Sequence, residues 1–306
     1  MTPPGWNRVL ITGGAGTLGR AIVRRAEKEG WQTRFTIYSR SELLQSQMMQ
    51  EFPDERYILG DIADAERLSA AIMGHDVVIH AAAAKRIPEA EQQPWQCYQT
   101  NVVGSQNVIR ACLQARVVRC IGVSTDKACH AITAYGASKL MMEALFKAQT
   151  DPRTVFTLVR YGNVVASRGS VIPKWRRQAF DHIPITITDK RCTRFWMAES
   201  QAVDTILEGI RMPAGTITVP LMGSLTLPEL AAIVVPGCEI KETGLRSTEK
   251  RHEELVHPDE IAVMRNGYYF IHPTAGTLGN TYTSEHAPRI TPDAFLAMLK
   301  EAESHE

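Results

Sequence analysis

The stretch RVLITGGAGTLGRAIVRRAEKEG, Arg8 to Gly30, decides the fold. An apolar run, a glycine-rich turn and a segment with apolar residues at helical spacing read as strand, tight turn and helix. Gly14-x-Gly16-x-x-Gly19 matches the dinucleotide fingerprint, and the same residues also read Thr12-Gly13-x-x-Gly16-x-x-Gly19. Glycines there allow a sharp turn and let backbone N–H groups reach a pyrophosphate at the helix N-terminus. Gly13, Gly16, Thr17, Leu18 and Gly19 are therefore candidate cofactor contacts.

Working outward, a second strand, Thr33 to Tyr38, ends in Ser39-Arg40. An NAD-selective site normally carries an acid there for the ribose 2′-OH, whereas an arginine forks onto a 2′-phosphate. NADP is the expected cofactor. Tyr57-Ile58-Leu59 reads as a third strand leading to Gly60-Asp61-Ile62, with Asp61 and Ile62 as adenine contacts. The fourth strand, Val77 to His80, opens into Ala81, Ala82 and Ala83, whose small side chains let the backbone lie against a dinucleotide. Lys85 just beyond is a candidate for substrate or cofactor phosphate, an ordinary solvated lysine being the alternative. Trp95 to Ala115 reads as a long helix with Asn101 on its inner side. Thr154 to Arg160 supplies another strand, leading into Tyr161-Gly162-Asn163. This alternation of strands and helices predicts an α/β fold with a doubly wound parallel sheet.

The chemistry concentrates on one strand end. Val117 to Val123 reads as a buried strand followed by Ser124-Thr125-Asp126-Lys127, a hydroxyl, a carboxyl and an amine leaving together. The helix expected from Ala134 puts Tyr135 and Lys139, four residues apart, on one face. An ammonium beside a phenol favours the phenolate, a usable base near neutral pH. Behind a nucleotide fingerprint this constellation is specific, although Y-x-x-x-K alone is not.

After Asn163 the alternation stops. Residues 1–163 are expected to form the dinucleotide-binding domain and 164–306 a smaller substrate lobe, with a helix near 199–211 packing back on the first. GTITVP reads as a short strand, and Ser224 to Val235 and Thr291 to Ala302 as helices, the last opening Thr-Pro-Asp. His252-Glu253-Glu254-Leu255-Val256-His257 looks like a zinc-protease helix, but its histidines are five apart. The second ring is thereby turned roughly 140° from the first on a helix, so no metal is expected. His80, at a strand end, reads as a packed residue rather than a ligand.

The chain has 306 residues, and 34 Lys+Arg against 33 Asp+Glu leave a net charge of +1, with no sign of nucleic acid or membrane as partner. No apolar run reaches the roughly 18 residues of a membrane span, and Met1 to Asn7 carries no signal-peptide pattern, so a cytoplasmic location is expected. Cys97, Cys112, Cys120, Cys129, Cys192 and Cys238 are scattered without C-x-x-C and read as free thiols.

These residues together resemble an extended short-chain dehydrogenase/reductase and, more narrowly, the soluble inverting UDP-N-acetylglucosamine 4,6-dehydratases of bacterial surface-sugar pathways. The carriers are TGGAGTLG, IYSRSELLQ, GDIAD, HAAAAK, TNVVGSQNVI, STDKA, YGASK, RYGNVVASRGSVIP, TRFWM and GLRSTEKRHE, spread over nearly the whole chain. The chain departs at Leu44, where the family usually has a second basic residue. It departs again at Ser247-Thr248, in place of Pro-Gly, and at Arg86, in place of His. The resemblance implies that Tyr135, acidified by Lys139, takes the C4-OH proton during oxidation at C4, with Thr125 bonded to the same oxygen. It implies Lys127, an amine held neutral by burial and cationic neighbours, as base at C5. Asp126, kept protonated, is then the donor to the leaving C6 hydroxyl. Lys85, Asn163, Arg168, Arg194, Arg246 and Glu249 match positions near the sugar, diphosphate or uridine. It implies NADP, a UDP-sugar substrate, a homo-oligomer and inversion at C5, because Tyr135 stands where C5-retaining membrane relatives carry Met. A nucleotide-sugar 4-epimerase of the same fold and a catalytically silent NADP-sensing protein are the alternative readings.

Overall fold

The computed structural model describes residues 6–167, 169–272, 274 and 276–304. Its main sheet has nine strands. In chain order the first six are β1 (Arg8–Thr12), β2 (Arg34–Ser39), β3 (Arg56–Leu59), β4 (Val77–His80), β5 (Arg119–Thr125) and β6 (Val155–Tyr161). Across the sheet the order is Ala262–Arg265, Tyr268–Ile271, Ile217–Pro220, β6, β5, β4, β1, β2, β3. β1 to β6 and Ile217–Pro220 are mutually parallel. The last two strands form an antiparallel hairpin on the edge. Helices on both faces bury the centre, so β4 is buried at every residue and β1 at all but its first. This is the doubly wound parallel sheet expected. The strand order reverses between β1 and β4, which opens the crevice at their carboxyl ends.

His80 closes β4 against that crevice as a packed residue. Its Nδ1 lies 2.8 Å from Thr12 Oγ1 and its Nε2 2.9 Å from Ser105 Oγ. Burial, helped by Lys139, brings its pKa down to about 3, so the ring is neutral.

The chain beyond Asn163 serves two bodies. Helix Glu199–Gly209 lies on helix Thr17–Lys28, with Arg25 and Asp204 paired at 3.2 Å, and three strands from 217–271 extend the sheet. A second core around Trp175, Trp196, Leu230 and Phe295 holds helices Val171–Phe180, Leu227–Val234 and Pro292–Glu303 together. The segment expected to be helical from Ser224 begins instead as strand Gly223–Thr226, paired with Thr193–Met197. The helix starts only at Leu227 because Thr226 and Glu229 form a capping box. Helix Pro292–Glu303 opens as expected, its cap Thr291 accepting from the amide of Ala294 at 3.3 Å. The HEELVH segment is not a helix; Glu254–Val256 is a strand pairing with Tyr282–Thr283.

Candidate active site

A cleft of about 430 Å³ runs along the carboxyl ends of β1, β4 and β5. Its floor is the glycine turn. Gly13 has φ +67°, and a side chain there would come within 2.8 Å of the Ala82 backbone. At Gly19 a Cβ would lie 2.0 Å from the carbonyl oxygen of Gly14. The helix N-cap is Gly16, which has no side chain to cap the first turn, and Gly16, Thr17 and Leu18 line this end of the cleft. Thr17, Leu18, Ser39, Arg40, Asp61, Ile62, Ala81, Ala82, Ala83 and Lys85 line the same cleft, which continues to Thr125, Lys127, Tyr135, Lys139 and Asn163. Its shape and the glycine turn at a helix N-terminus fit a dinucleotide.

Arg40 is half exposed at the rim, 3.4 Å from Asp61 Oδ2. Asn101 lies behind the cleft, in a π-helical turn, Gln99–Val103, of the long helix. It accepts from the Ala84 amide at 2.8 Å and donates to the Ala84 carbonyl at 3.0 Å and to Ser138 Oγ at 2.9 Å. Asn101 thereby ties the loop after β4 to the helix that carries Tyr135.

That helix, Ala134–Lys147, is capped by Thr133, whose hydroxyl oxygen accepts from the Gly136 amide at 2.8 Å. It approaches the β5 end so closely that a Cβ on Gly136 would lie 2.2 Å from the Lys127 carbonyl oxygen. Tyr135 and Lys139 share the inner face as expected, but the cation acting on Tyr135 is Lys127. Burial pushes the Tyr135 phenol up to about 12, while Lys127 and a hydrogen bond with Thr125 pull the other way. The Lys139 amine donates to Met142 Sδ at 2.9 Å. Burial brings it down to about 7, against the pull of Glu143.

Asp126 is fully buried. Its Oδ1 accepts from Thr125 Oγ1 and from Lys127 Nζ, each at 2.9 Å. Its Oδ2 has no hydrogen-bond partner among the described residues. Burial raises its carboxyl above the usual range, although Lys127 pulls the other way. Lys127 departs from the expectation of cationic surroundings. Burial lowers its pKa, but the carboxylates of Asp126 and Glu253 outweigh both that and Arg194, and the net shift is upward. Lys127 is held as an ammonium between the carboxyl groups of Asp126, with Oδ1 at 2.9 Å, and Glu253, with Oε1 at 3.5 Å.

Glu253 is the residue that the sequence reading passed over. It sits in the segment judged only for metal spacing, and the one available signal was its closeness to Glu249. It is 4% exposed, and burial would raise its pKa. Lys127, Arg194 and Lys250 instead hold it below the usual carboxylate range. Arg194 reaches Glu249 Oε1 at 2.8 Å and Glu253 Oε1 at 3.9 Å. A second cavity of about 100 Å³ joins Lys127, Arg194, Arg246, Glu249 and Glu253. Arg168 lies outside the described residues. On the outer side, His130, Glu254 and His257 each bring a ligand-type atom within 4.8 Å of the others. Spacing within HEELVH could not reveal that set, because His130 comes from the loop after β5.

The chain matches the model of the family described as "Polysaccharide biosynthesis protein" over residues 9–272. It is 41% identical over 276 residues to a UDP-N-acetylglucosamine 4,6-dehydratase (inverting) of Campylobacter jejuni, covering 87% of this chain and 83% of that protein. A UDP-glucose 4-epimerase of Rickettsia bellii is 37% identical over 88% of this chain and 83% of its own length. Among solved structures, Pen from Bacillus thuringiensis superposes with a TM-score of 0.89 at 31% identity, over 97% of this chain and 98% of its own. On the extent of these matches and the shared doubly wound sheet, the chain belongs to the polysaccharide biosynthesis protein family.

Proposed function

We propose that the protein is an NADP-dependent 4,6-dehydratase of UDP-N-acetylglucosamine that inverts C5. The observation that carries this reading is the buried Asp126–Lys127 pair beside Tyr135. An acid and an amine at one strand end suit elimination of water, which a 4-epimerase has no need to perform. A nicotinamide dinucleotide, when bound, supplies the hydride acceptor for C4 and the donor for C6, with no net redox change. The helix N-terminus after Gly16 would hold its pyrophosphate, and Arg40 would pair with the 2′-phosphate.

Tyr135 takes the C4-OH proton, with Thr125 sharing the oxygen and the Lys127 ammonium stabilising the phenolate. The ketone formed at C4 acidifies C5. Asp126, neutral through burial, gives its proton to the C6 hydroxyl as it leaves. Lys127 takes the C5 proton once it has lost its own. Arg194 and Arg246, with Arg168, pair with the diphosphate, while Lys85, Asn163 and Glu249 meet the sugar or uridine. Residues 164–306 supply most of these contacts as the substrate lobe.

The Rickettsia relative favours 4-epimerisation as the second reading. Incubating pure protein with UDP-N-acetylglucosamine and no added cofactor separates the two. Loss of one water by mass spectrometry supports dehydration, whereas unchanged mass with an altered NMR spectrum selects epimerisation. In deuterated water, fresh product should carry one deuterium at C5 in the L-arabino configuration. Product of D-xylo configuration alone would remove the inversion.

A further inference from the structure

The outer histidines take part in no step above, and they gather on the segment that sequence spacing set aside. Among the described residues one group of His and carboxylate side chains has its ligand-type atoms within 4.8 Å of one another: His130, Glu254 and His257. None of the three lines the cleft or the smaller cavity. The spacing argument against a metal assumed a helix. Glu254 instead lies in strand Glu254–Val256, and the histidine joining His257 is His130, from the loop after β5.

Each of the three is held at or beside its backbone by contacts that need no ion. Lys250 Nζ pins the loop by donating to the Cys129 carbonyl at 2.6 Å. His130, the next residue, takes the left-handed conformation, φ +50°, which histidine tolerates better than most side chains. Glu254 is registered opposite Thr283 in the strand pair. The His257 amide donates to Glu260 Oε2 at 3.0 Å, and Glu260 is bonded to Arg160. Between these anchors, His130 Nδ1 stands 3.7 Å from Glu254 Oε1, and the two imidazole rings cross at 80° with centroids 5.9 Å apart. The nitrogen–oxygen separation is too long for a hydrogen bond. Two donors on one tetrahedral zinc, each ~2.0–2.2 Å from it, stand roughly 3.4 Å apart. The side chains of His130 and Glu254 are 62% and 24% exposed, so small rotations close the remaining gap. Asp259 Oδ2, 3.5 Å from His257 Nδ1, adds a further carboxylate at the edge.

We propose that His130, Glu254 and His257 form a binding site for a divalent transition metal of the zinc class. Two imidazoles and a carboxylate suit such an ion, whereas magnesium and calcium take oxygen donors. Three protein ligands leave a position for water. The ion would bridge two segments that meet at Lys127: the loop three residues beyond it and the strand that follows Glu253. Its role is a clamp on the frame around Lys127 and Glu253, outside the chemistry, and it does not rest on the dehydratase reading.

Tag-free protein, stripped with a chelator and returned to metal-free buffer, tests this with Zn(II) alone by calorimetry and thermal unfolding. One equivalent should bind, and the unfolding midpoint should rise by roughly 5 °C at free Zn(II) a hundredfold above Kd. His130→Ala and His257→Ala should each weaken Zn(II) by more than the ~10–100-fold that loss of an outer-shell partner costs, and Glu254→Gln by at least about tenfold. His182→Ala, outside the set, should leave the affinity unchanged. Amide hydrogen exchange at 128–131 and 254–257 should slow on adding Zn(II). Co(II) in place of Zn(II) should give the intense visible bands of a four- or five-coordinate ion. Equal Zn(II) affinity in His130→Ala, His257→Ala and the wild type, or no saturable binding at one equivalent, overturns the site. Binding that leaves exchange in both segments unchanged overturns the clamp. Where a variant fails to fold, the Co(II) spectrum of the wild type decides, the weak bands of a six-coordinate ion counting against the site.

Discussion

Two buried ion clusters join the Glu253–Glu260 segment to the main sheet, and they differ in how completely they are bonded. Around Arg160 every donor is used. Its Nε and Nη2 fork onto Glu143 at 3.0 and 2.6 Å, its two terminal nitrogens reach Glu260 at 2.8 Å, and Nη1 also reaches the Leu255 carbonyl at 3.0 Å. Ser124 adds a further hydrogen bond to Glu143 at 2.6 Å. Around Lys127, by contrast, Asp126 Oδ2 and Glu253 Oε2 have no hydrogen bonds among the described residues. A completed network in low dielectric rigidifies its surroundings, whereas open valences at a cleft are free for a substrate. The comparison assigns the Arg160 cluster to holding the segment in place and the Lys127 cluster to chemistry.

The largest expected effects break this comparison from the chemical side. Tyr135→Phe and Asp126→Asn should each lower turnover of UDP-N-acetylglucosamine by ~10²–10⁴-fold. Both should unfold near the wild-type urea midpoint, and Tyr135→Phe should show no reduced-nicotinamide absorbance on mixing. Near-normal turnover in either variant would erase the distinction between the clusters.

Arg160→Met attacks from the other side. Removing one partner leaves Glu143 buried and unpaired, so urea unfolding should report about 3–5 kcal/mol of lost stability. A loss under about 1 kcal/mol would mean that the network does not hold the segment.

Arg40→Ala should be smaller and confined to the cofactor. A charge-assisted contact with a phosphate contributes about 1.5–3 kcal/mol, so NADP(H) binding by calorimetry should weaken roughly ten- to a hundredfold while NAD(H) binding hardly changes. Equal affinity of the wild type for both cofactors would contradict the assignment.

The smallest effect concerns His80, a third buried polar group, bonded at both nitrogens. Its folded pKa of about 3 lies below its ordinary 6.5, so the unfolded chain binds the extra proton between those values. Its contribution to stability is complete above the ordinary value and is lost as pH falls towards 3, with a slope of up to about 1.4 kcal/mol per pH unit. Urea unfolding at pH 7 and pH 5 should show that slope, and His80→Gln should remove its share.

The sheet was legible because its signals are local. The glycine turn, the apolar runs of β1, β4 and β5 and the helix carrying Tyr135 each declare themselves within about ten residues. Strands Ile217–Pro220 and Tyr268–Ile271 are too short and too far apart in sequence for their place beside β6 to be read. In the site, Thr125, Asp126, Lys127 and Tyr135 do converge. The charge on Lys127 could not be read, because it depends on Glu253, more than a hundred residues away and brought in by a strand pairing with Tyr282–Thr283. Judging HEELVH as a helix also hid its first glutamate, since a strand displays residues by a different rule. Helical spacing placed Tyr135 and Lys139 on one face but could not say which cation the phenol feels.

Single-turnover mixing of Lys127→Met with UDP-N-acetylglucosamine tests the division of labour most directly, with nicotinamide absorbance and product mass followed together. Oxidation at C4 depends on Tyr135 and elimination on the Lys127 cluster. The reduced-nicotinamide signal should therefore appear, rising more slowly because the Tyr135 phenolate has lost the Lys127 ammonium, and then persist beside a 4-keto sugar that has kept its C6 hydroxyl. Dehydration at the wild-type rate, with the signal rising and decaying as usual, would show that the base at C5 lies elsewhere.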